Sequence, residues 1–411
     1  MNTNFNIVKK PKKDDDIELE EDEEEEEMEE DSDSNTKAKS NSMDDLKKRM
    51  FLLMGIIIGG TILLLIILYI ASLATPKTYS YETIENIMTT AAKSYFKDNS
   101  TYLPKDDGDV VEVDVTNLVA GGYMKDLSEY TKEGVSCSGT VQVGKSGSEY
   151  SYTPTLNCGE AYSTTKLYEK IINDDNIVTS GYGLYSRNGS YVYRGEEVDN
   201  YVQLDNSLWR IVKVTSNKNI VLISEGLQSG QPWDDRYNET SSYAAGINTY
   251  SASRIKEYLD KIYKNPSEKD NEKILSKGDK ANLVSYNICT GKKPETSSAF
   301  DNVEECSDHL NNQKLGLLTV SDYVYASIDP NCKTITSKTC QNYNYLDINK
   351  AWWLVTANSA NTVSVYKVDN SGNVKSSEAN TYAIVRPVIY LDSKVLYKSG
   401  NGTEQKPYKI R

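Results

Sequence analysis

The sequence predicts an α+β protein in four parts: a disordered acidic tail, one transmembrane helix, a small α+β stalk domain and a larger α+β domain with an antiparallel sheet. Three observations lead to this prediction. Residues 51–74 form an apolar run without a charged side chain. Beyond that run, one amphipathic pattern of helical period gives way to many short segments of period two. All six cysteines lie after the run.

The amino-terminal tail is defined by its charge. Sixteen acidic residues and no basic one occupy positions 14–33, so the tail accounts for most of the formal net charge of −14. A segment with so little apolar content cannot offset the entropy cost of ordering, and residues 1–49 are predicted to be disordered. A solvated spacer is favoured over an interaction tail for a basic partner. The rest of the chain is nearly neutral, which gives no support to nucleic-acid binding.

The apolar run predicts a transmembrane helix over residues 50–75. At about 1.5 Å per residue, a helix of this length crosses a hydrocarbon core of about 30 Å. Three basic residues precede the run at 47–49, whereas Lys77 alone follows it closely. The positive-inside rule therefore places the amino-terminal tail in the cytoplasm. Cleavage after Ala74, as in a signal peptide, is the alternative, but the run is longer than such a peptide requires.

The cysteines indicate an oxidising compartment, because an even number on one side of a membrane span is typical of disulfide-bonded extracytoplasmic proteins. Free buried thiols are the alternative. A metal site is not expected, since no two cysteines are spaced C-x-x-C and His309 is the only histidine. Sequential pairing is the simplest arrangement, and it joins Cys137 to Cys158, Cys289 to Cys306 and Cys332 to Cys340.

Residues 76–163 are predicted to form the stalk domain. Apolar residues spaced three and four apart predict a helix over Tyr81–Phe96. Cys137 and Cys158 flank a predicted hairpin, so that a bridge between its ends is geometrically reasonable. Period-two patterns predict strands at 110–115, 139–143 and 150–156, with a turn at 144–148.

An apolar helix, a second helix containing AAKSY and a small sheet resemble the layout of type IV pilin-like proteins over residues 51–163. Pilins carry a Gly-Phe cleavage site at the head of the apolar segment and a glutamate a few residues inside it, and this chain has neither. The resemblance therefore implies a stalk-like α+β architecture. It does not imply processing by a prepilin peptidase or assembly into a fibre.

A helical connector is predicted over residues 164–179, and residues 180–411 are predicted to form the larger domain. Asn188-Gly189 separates two short strand patterns and is a strong hairpin signal. A helix is predicted over Ser251–Tyr263, with Ser251 or Ser253 as its cap. Further strands are predicted at 201–204, 208–215, 219–224, 315–318, 352–357, 363–368 and 382–391, with a short helix at 320–327.

This larger domain resembles bacterial surface domains related to the C-type-lectin-like and formylglycine-generating-enzyme folds. The resemblance covers about residues 180–395 and rests on the segments LWRIVKV, SASRIKEYL, LGLLTVSDYVYA, AWWLVTANSANTVSVYKVDNSGNV and YAIVRPVIYL. It implies a lectin-like α+β fold. Formylglycine-generating enzymes use a late pair of cysteines, and calcium-dependent lectins use Glu-Pro-Asn-like and Trp-Asn-Asp-like clusters; this chain has none of these. No cofactor and no enzymatic activity are therefore expected.

Few residues are candidates for a functional role. Trp233, Asp234 and Asp235 form a candidate ligand contact, although a solvated loop is the favoured interpretation of the carboxylate pair. Arg386 lies inside a strand pattern, where an arginine must be paired, and is predicted to be a structural buried charge. His309 lies in a polar segment without a neighbouring nucleophile and is expected at the surface. No catalytic residue is predicted, because no nucleophile or phosphate-binding motif is present.

These features together predict a membrane-anchored binding or display protein of a bacterial surface, with its carboxyl-terminal domains outside the cell. The expected partners are the lipid bilayer and an extracellular glycan or protein, and the oligomeric state stays open. The composition of 31 tyrosines against four phenylalanines suits half-exposed strands and also binding surfaces. A pilin-like assembly component is the first alternative, and an enzyme related to formylglycine-generating oxidases is the second.

Overall fold

A computed structural model describes residues 38–74, 79–106, 108–205, 207–226, 228–239, 246–264 and 274–411. The chain divides into two compact units, residues 1–77 and residues 78–411. The predicted disorder of the acidic tail concerns residues 1–49, of which 1–37 lie outside the described residues.

Helix α1 spans Ala38–Ala74 and contains the apolar run. It begins before the predicted residue 50, so residues 38–49 are helical where the sequence pattern predicted disorder. Between Leu46 and Ile67 the helix is long and apolar enough to cross a membrane, and every residue there is exposed. The hydroxyl of Thr61 donates to the carbonyl oxygen of Ile58 at 2.8 Å. This internal hydrogen bond satisfies a side chain that would find no partner in hydrocarbon.

The part of the second unit that follows directly is a helix packed on a three-stranded antiparallel sheet of order β1-β2-β3. Ser80 caps the helix by accepting a hydrogen bond from the backbone nitrogen of Thr83. Asp114 ends the first strand and caps a short helix that starts at Val115, where strand had been predicted to continue. The elements are α2 Tyr81–Asp98, β1 Val110–Asp114, α3 Val115–Ala120, β2 Ser138–Ser146 and β3 Glu149–Asn157.

The remaining elements are more numerous than the sequence patterns predicted. The helices are α4 Leu167–Ile171, α5 Arg254–Lys264, α6 Lys277–Ala281 and α7 Val320–Tyr325. The strands are β4 Gly183–Arg187, β5 Ser190–Arg194, β6 Tyr201–Leu204, β7 Ser207–Val214, β8 Ile220–Ser224, β9 Gln228–Pro232, β10 Tyr286–Cys289, β11 Lys292–Lys293, β12 His309–Gln313, β13 Trp352–Asn358, β14 Ser364–Val368, β15 Val374–Glu378, β16 Tyr382–Val385, β17 Val388–Leu391, β18 Tyr397–Ser399 and β19 Tyr408–Ile410.

These strands form two large sheets and one small one in the described part of the chain. The first has the order β17-β8-β7-β6-β19-β18, with β5 and then β4 attached beside β7. The second has the order β15-β14-β13-β16-β9, with β11 paired to β13, and β10 pairs with β12 separately. Most pairs are antiparallel; β6–β19, β11–β13 and β13–β16 are parallel. The predicted α+β class with mainly antiparallel sheet is confirmed at this level.

Two predicted strands are wrong in detail. Residues 382–391 form β16 and β17, which belong to different sheets, because Pro387 has no N–H for a sheet ladder and breaks the strand. Residues 315–318 form no strand; only Gly316 makes an isolated bridge, to Val388. Their apolar side chains are buried. The apolar run therefore indicates burial of this segment and not pairing with a neighbouring strand.

The described residues of the second unit form two separate hydrophobic cores. The first is built from α2, α3 and the β1–β3 sheet, and it includes Met88, Leu118 and Val141. The second extends from the connector residue Leu167 to Tyr408. All four tryptophans belong to this second core and are fully buried, namely Trp209, Trp233, Trp352 and Trp353.

Candidate functional site

All six cysteines are paired as predicted: Cys137 with Cys158, Cys289 with Cys306, and Cys332 with Cys340. The exposed His309 brings its Nε2 to 3.8 Å from Cys289 Sγ. That nitrogen and the sulfurs of Cys289 and Cys306 all lie within 4.8 Å of one another. Because the two sulfurs are bonded to each other, the group is a disulfide beside an imidazole and not a set of metal ligands.

The solvated loop predicted around Trp233 is wrong for two of its three residues. Trp233 and Asp234 are fully buried, whereas Asp235 is exposed. Trp233 Nε1 donates to the carbonyl oxygen of Leu354 at 3.3 Å. An oxygen of Asp234 accepts the backbone N–H of Arg254 at 3.2 Å and so fixes the start of α5. The buried indole offers no face to a ligand, and a ligand contact at Asp235 stays a prediction.

Arg386 is fully buried, as its place in the strand pattern predicted. Its guanidinium donates to the carbonyl oxygens of Ser224 at 3.2 Å and Leu346 at 2.9 Å. It also pairs with the carboxylate of Glu225 at 3.2 Å and lies 4.9 Å from the ring centre of Trp352. Burial lowers the pKa of Arg386, which Glu225 partly opposes. Each partner belongs to the protein itself, so this arginine joins strands and leaves no donor group directed at a ligand cavity.

A second buried charge pair lies behind the Cys289–Cys306 disulfide. Lys293 and Glu305 are both fully buried, with Nζ 3.9 Å from Oε2. The other carboxylate oxygen of Glu305 accepts the hydroxyl of Thr356 at 2.6 Å and the backbone N–H of Ser321 at 3.3 Å. Burial raises the pKa of Glu305, while Lys293 and the two hydroxyl residues oppose the rise. The network ties the segment around Cys306 to β11, β13 and α7.

A cavity of about 90 Å³ adjoins this network and has room for several water molecules. Its wall contains both cysteines of the disulfide, the stacked rings of Tyr286 and Tyr390, and a salt bridge of 2.6 Å between Lys213 and Asp322. Burial lowers the pKa of Lys213, but Asp322 and neighbouring groups outweigh it and raise the pKa above its usual value. Lys213 therefore stays charged and paired, which does not suit a general base.

A set of half-exposed aromatic rings lies on the β4–β5 hairpin and the segments packed against it. We call this surface the arginine–tyrosine face. Its members are Tyr182, Tyr185, Arg187, Arg194, Phe300, Tyr325 and Tyr343.

Stacking between guanidinium groups and rings organises the centre of this face. The guanidinium carbons of Arg187 and Arg194 lie 3.9 and 4.5 Å from the ring centre of Tyr325. Arg194 also lies 5.1 Å from the ring centre of Tyr185. Phe300 meets Tyr325 edge to face at 5.7 Å. Flat groups packed in this way lose little freedom when a ligand binds.

Hydrogen bonds to the backbone hold the two arginines in place. Arg194 Nε donates to the carbonyl oxygen of Tyr325 at 2.8 Å, and its Nη2 donates to that of Ser327 at 2.7 Å. Arg187 Nη2 donates to the carbonyl oxygen of Phe300 at 2.6 Å. The hairpin turn that carries both arginines is Asn188-Gly189, and both turn residues have positive φ, as the sequence signal predicted.

The edge of the face is aromatic and acidic. Tyr182 lies against the backbone of Gly195, where an added Cβ would come within 2.5 Å of the ring. Tyr343 is tilted against Tyr182 with ring centres 6.2 Å apart. Burial, with the charges of Glu196 and Glu197 contributing, raises the pKa of Tyr182. Phe300, Tyr182 and Tyr343 are 40, 39 and 48 % exposed, so their rings are accessible from solvent.

The sequence patterns did not single out this face. Its rings come from residues 182–185 and residues 300–343, which are more than a hundred residues apart, and no local motif marks them. The abundance of tyrosine was the one available signal, and composition does not indicate which part of the chain forms a binding surface.

Comparison with known proteins found no matching family model, no matching curated protein and no matching solved structure.

Proposed function

We propose that the protein is a single-pass, membrane-anchored glycan-binding protein of a bacterial surface, with its amino-terminal tail in the cytoplasm and residues 78–411 outside the cell. The observation that carries the binding role is the arginine–tyrosine face. The observation that supports the location is an exposed apolar helix followed by a unit with three disulfides.

The topology follows from where the charges and the disulfides lie. An 18-residue stretch within Leu46–Ile67 has a mean hydropathy of 2.8 and none of it is buried, which suits contact with lipid. The basic residues at 47–49 favour the cytoplasmic side. Disulfides are stable in oxidising surroundings, so the unit that contains all three belongs outside.

The ligand class follows from the chemistry of the face. Rings that are partly exposed provide flat apolar surfaces for the C–H faces of sugars. Arg187 and Arg194 add donors, and Glu196 and Glu197 add acceptors, so hydroxyl groups find partners of both kinds. Because both signs of charge are present, a neutral polyhydroxylated chain fits better than a polyanion. A lectin-like role agrees with the resemblance of residues 180–395 to lectin-like domains. The partly exposed aromatic rings of the arginine–tyrosine face are its main support.

The test is a binding measurement on the full chain in lipid nanodiscs against an array of bacterial cell-wall and capsular glycans. We expect binding of a neutral glycan that Tyr182→Ala and Tyr343→Ala each weaken about tenfold, equivalent to about 1.4 kcal/mol. Tyr237→Ala is the matched control, because Tyr237 is 82 % exposed but lies outside the face. A glycan bound equally by all variants would overturn the site, and failure to bind any glycan of the array would overturn the ligand class.

A further inference from the structure

We propose that Cys289–Cys306 is a reactive disulfide that exchanges with an external thiolate, with His309 assisting the departure of Cys289, whereas the other two disulfides are structural. This activity is independent of glycan binding. It rests on the surroundings of the six sulfur atoms.

Accessibility separates the three disulfides. Cys289 and Cys306 are both half-buried, so an incoming thiolate can reach a sulfur. In the other two pairs at least one partner is buried: Cys158 is 4 % exposed, and Cys332 and Cys340 are 0 and 2 % exposed. A thiolate must reach the attacked sulfur along the sulfur–sulfur axis, and a buried leaving sulfur forms a poorly solvated thiolate, so burial of either end slows exchange.

Two of the disulfides also differ in the polar groups that lie next to their sulfur atoms. His309 Nε2 lies 3.8 Å from Cys289 Sγ, and Asn302 Nδ2 lies 3.8 Å from Cys306 Sγ. Both are nitrogen groups that can donate to a thiolate. Cys332 Sγ and Cys340 Sγ instead lie 3.7 and 3.5 Å from the carbonyl oxygens of Val324 and Thr334. A carbonyl oxygen repels a thiolate, whereas an N–H stabilises it, so these surroundings favour cleavage of Cys289–Cys306 over cleavage of Cys332–Cys340.

The backbone around the pair remains joined without the sulfur–sulfur bond. Cys289 is directly opposite His309 in the β10–β12 ladder. The backbone N–H of Thr290 donates to Asp308 at 2.9 Å, and that of Gly291 donates to Glu305 at 2.7 Å. An added Cβ at Gly291 would lie 2.2 Å from the carbonyl oxygen of Glu304, so the two segments are in close contact. Reduction therefore leaves the two thiols near each other, and the disulfide can form again.

The exchange balances with a thiol as the reductant. A thiolate attacks Cys306 Sγ and forms a mixed disulfide. The bond between Cys289 and Cys306 breaks, and its electron pair stays on Cys289 Sγ, which accepts a hydrogen bond or a proton from the His309 ring. A second thiolate then attacks the sulfur of the external thiol in the mixed disulfide and releases Cys306 as a thiolate, so one external disulfide forms for each protein disulfide reduced.

The experiment treats the folded full chain in detergent micelles with dithiothreitol, quenches it with iodoacetamide at intervals and maps the alkylated cysteines by mass spectrometry. We expect Cys289 and Cys306 to react at least tenfold faster than the other four. With glutathione in place of the dithiol, we expect the mixed disulfide on Cys306. Opening of all three disulfides at one rate, or earlier opening of another pair, would overturn the proposal.

The role of the imidazole is tested with His309→Gln, against Asn311→Gln as the control on an exposed position of the same strand. We expect the first variant to slow opening of Cys289–Cys306 several-fold and to leave the other disulfides unchanged, while the second reacts at the wild-type rate. An equal rate in both variants, or a mixed disulfide on Cys289, would remove His309 from the reaction. Because His309 is exposed, the variant is expected to keep its fold, which circular dichroism checks.

Discussion

Arg386 concentrates several interactions in one residue, because its guanidinium meets two backbone carbonyls, one carboxylate and the face of Trp352. The contacts reach β8, the segment before β13 and β13 itself. Removing the guanidinium would leave these acceptors buried without a donor. The resulting loss of stability exceeds the net contribution of the hydrogen bonds themselves.

The Arg386→Met variant should therefore lower the free energy of unfolding by about 3–5 kcal/mol, the range for removing one partner of a buried ion pair. Lys375→Met is the control, because Lys375 pairs with Asp369 at 2.6 Å but is 63 % exposed, and such surface pairs contribute at most about 1 kcal/mol. Urea denaturation of both variants measures the difference. Similar losses in the two would show that the buried arginine is not a major contributor to stability.

Single residues were predictable where one physical rule dominates. An arginine between strand residues and a proline had to be buried and paired, and Arg386 is. Trp233 could not be placed in the same way, because its neighbours Asp234 and Asp235 suggest solvent. Asp234 is buried since it accepts backbone N–H groups of two segments, and the second partner, Arg254, is twenty residues away. No local pattern contains that information.

At the scale of elements, the sequence offers two candidate caps for helix α5, and the fold shows which of the two serines is the cap. Ser251 and Ser253 were equally plausible from their positions. Ser253 is fully buried, and its hydroxyl oxygen accepts the backbone N–H of Lys256 at 3.3 Å, while Ser251 is exposed in the preceding turn. Asp234 adds a second acceptor at the same helix end.

Replacing the cap should therefore have an effect at only one of the two serines. Ser253→Ala is expected to lower the free energy of unfolding by about 1 kcal/mol, the usual cost of losing a side-chain cap. Ser251→Ala is expected to change it by less than about 0.5 kcal/mol, as for other surface positions. Thermal unfolding of the two variants gives the comparison. A larger loss for Ser251→Ala would mean that the helix begins earlier than Arg254.

Elements fixed by local chemistry were predictable, and their assignment to sheets was not. The turn Asn188-Gly189 and the hairpin between Cys137 and Cys158 lie where the patterns placed them. The continuous pattern of residues 382–391 instead spans two sheets, since β16 pairs with β9 and β13 while β17 pairs with β8. Pairing with β8 and β9, which lie about 150 residues or more away, is a tertiary property. The apolar pattern indicates only that both segments are buried.

At the scale of the whole second unit, a buried carboxylate joins the two hydrophobic cores. Glu85 lies on α2 and is 1 % exposed. It accepts the hydroxyl of Tyr162 at 3.0 Å and that of Thr164, and it forms an ion pair with Arg411. Arg411 also donates to the hydroxyl of Tyr162 at 2.7 Å. A cleft of about 470 Å³ opens beside this junction.

Glu85 looked like an ordinary helix residue in the sequence, because its partner Arg411 is more than three hundred positions away. The two cores themselves were foreseeable from the change in periodicity around the connector, whereas their connection was not. The same helix provides a natural comparison one turn earlier, where Glu82 pairs with Lys398 at 2.9 Å in an exposed salt bridge.

The last prediction concerns cooperativity between the cores. Glu85→Ala leaves Arg411, Tyr162 and Thr164 without their shared acceptor, so we expect a loss of about 3–5 kcal/mol at the junction and separate unfolding of residues 79–163 and 164–411. Glu82→Ala removes only a surface pair and should cost at most about 1 kcal/mol with one transition preserved. Hydrogen exchange during urea denaturation follows both parts in one sample, and a single transition with equal protection in the Glu85→Ala variant would contradict the assigned role. Since Glu82 and Glu85 occupy the same helix and carry the same charge, a difference between their variants isolates burial as the cause.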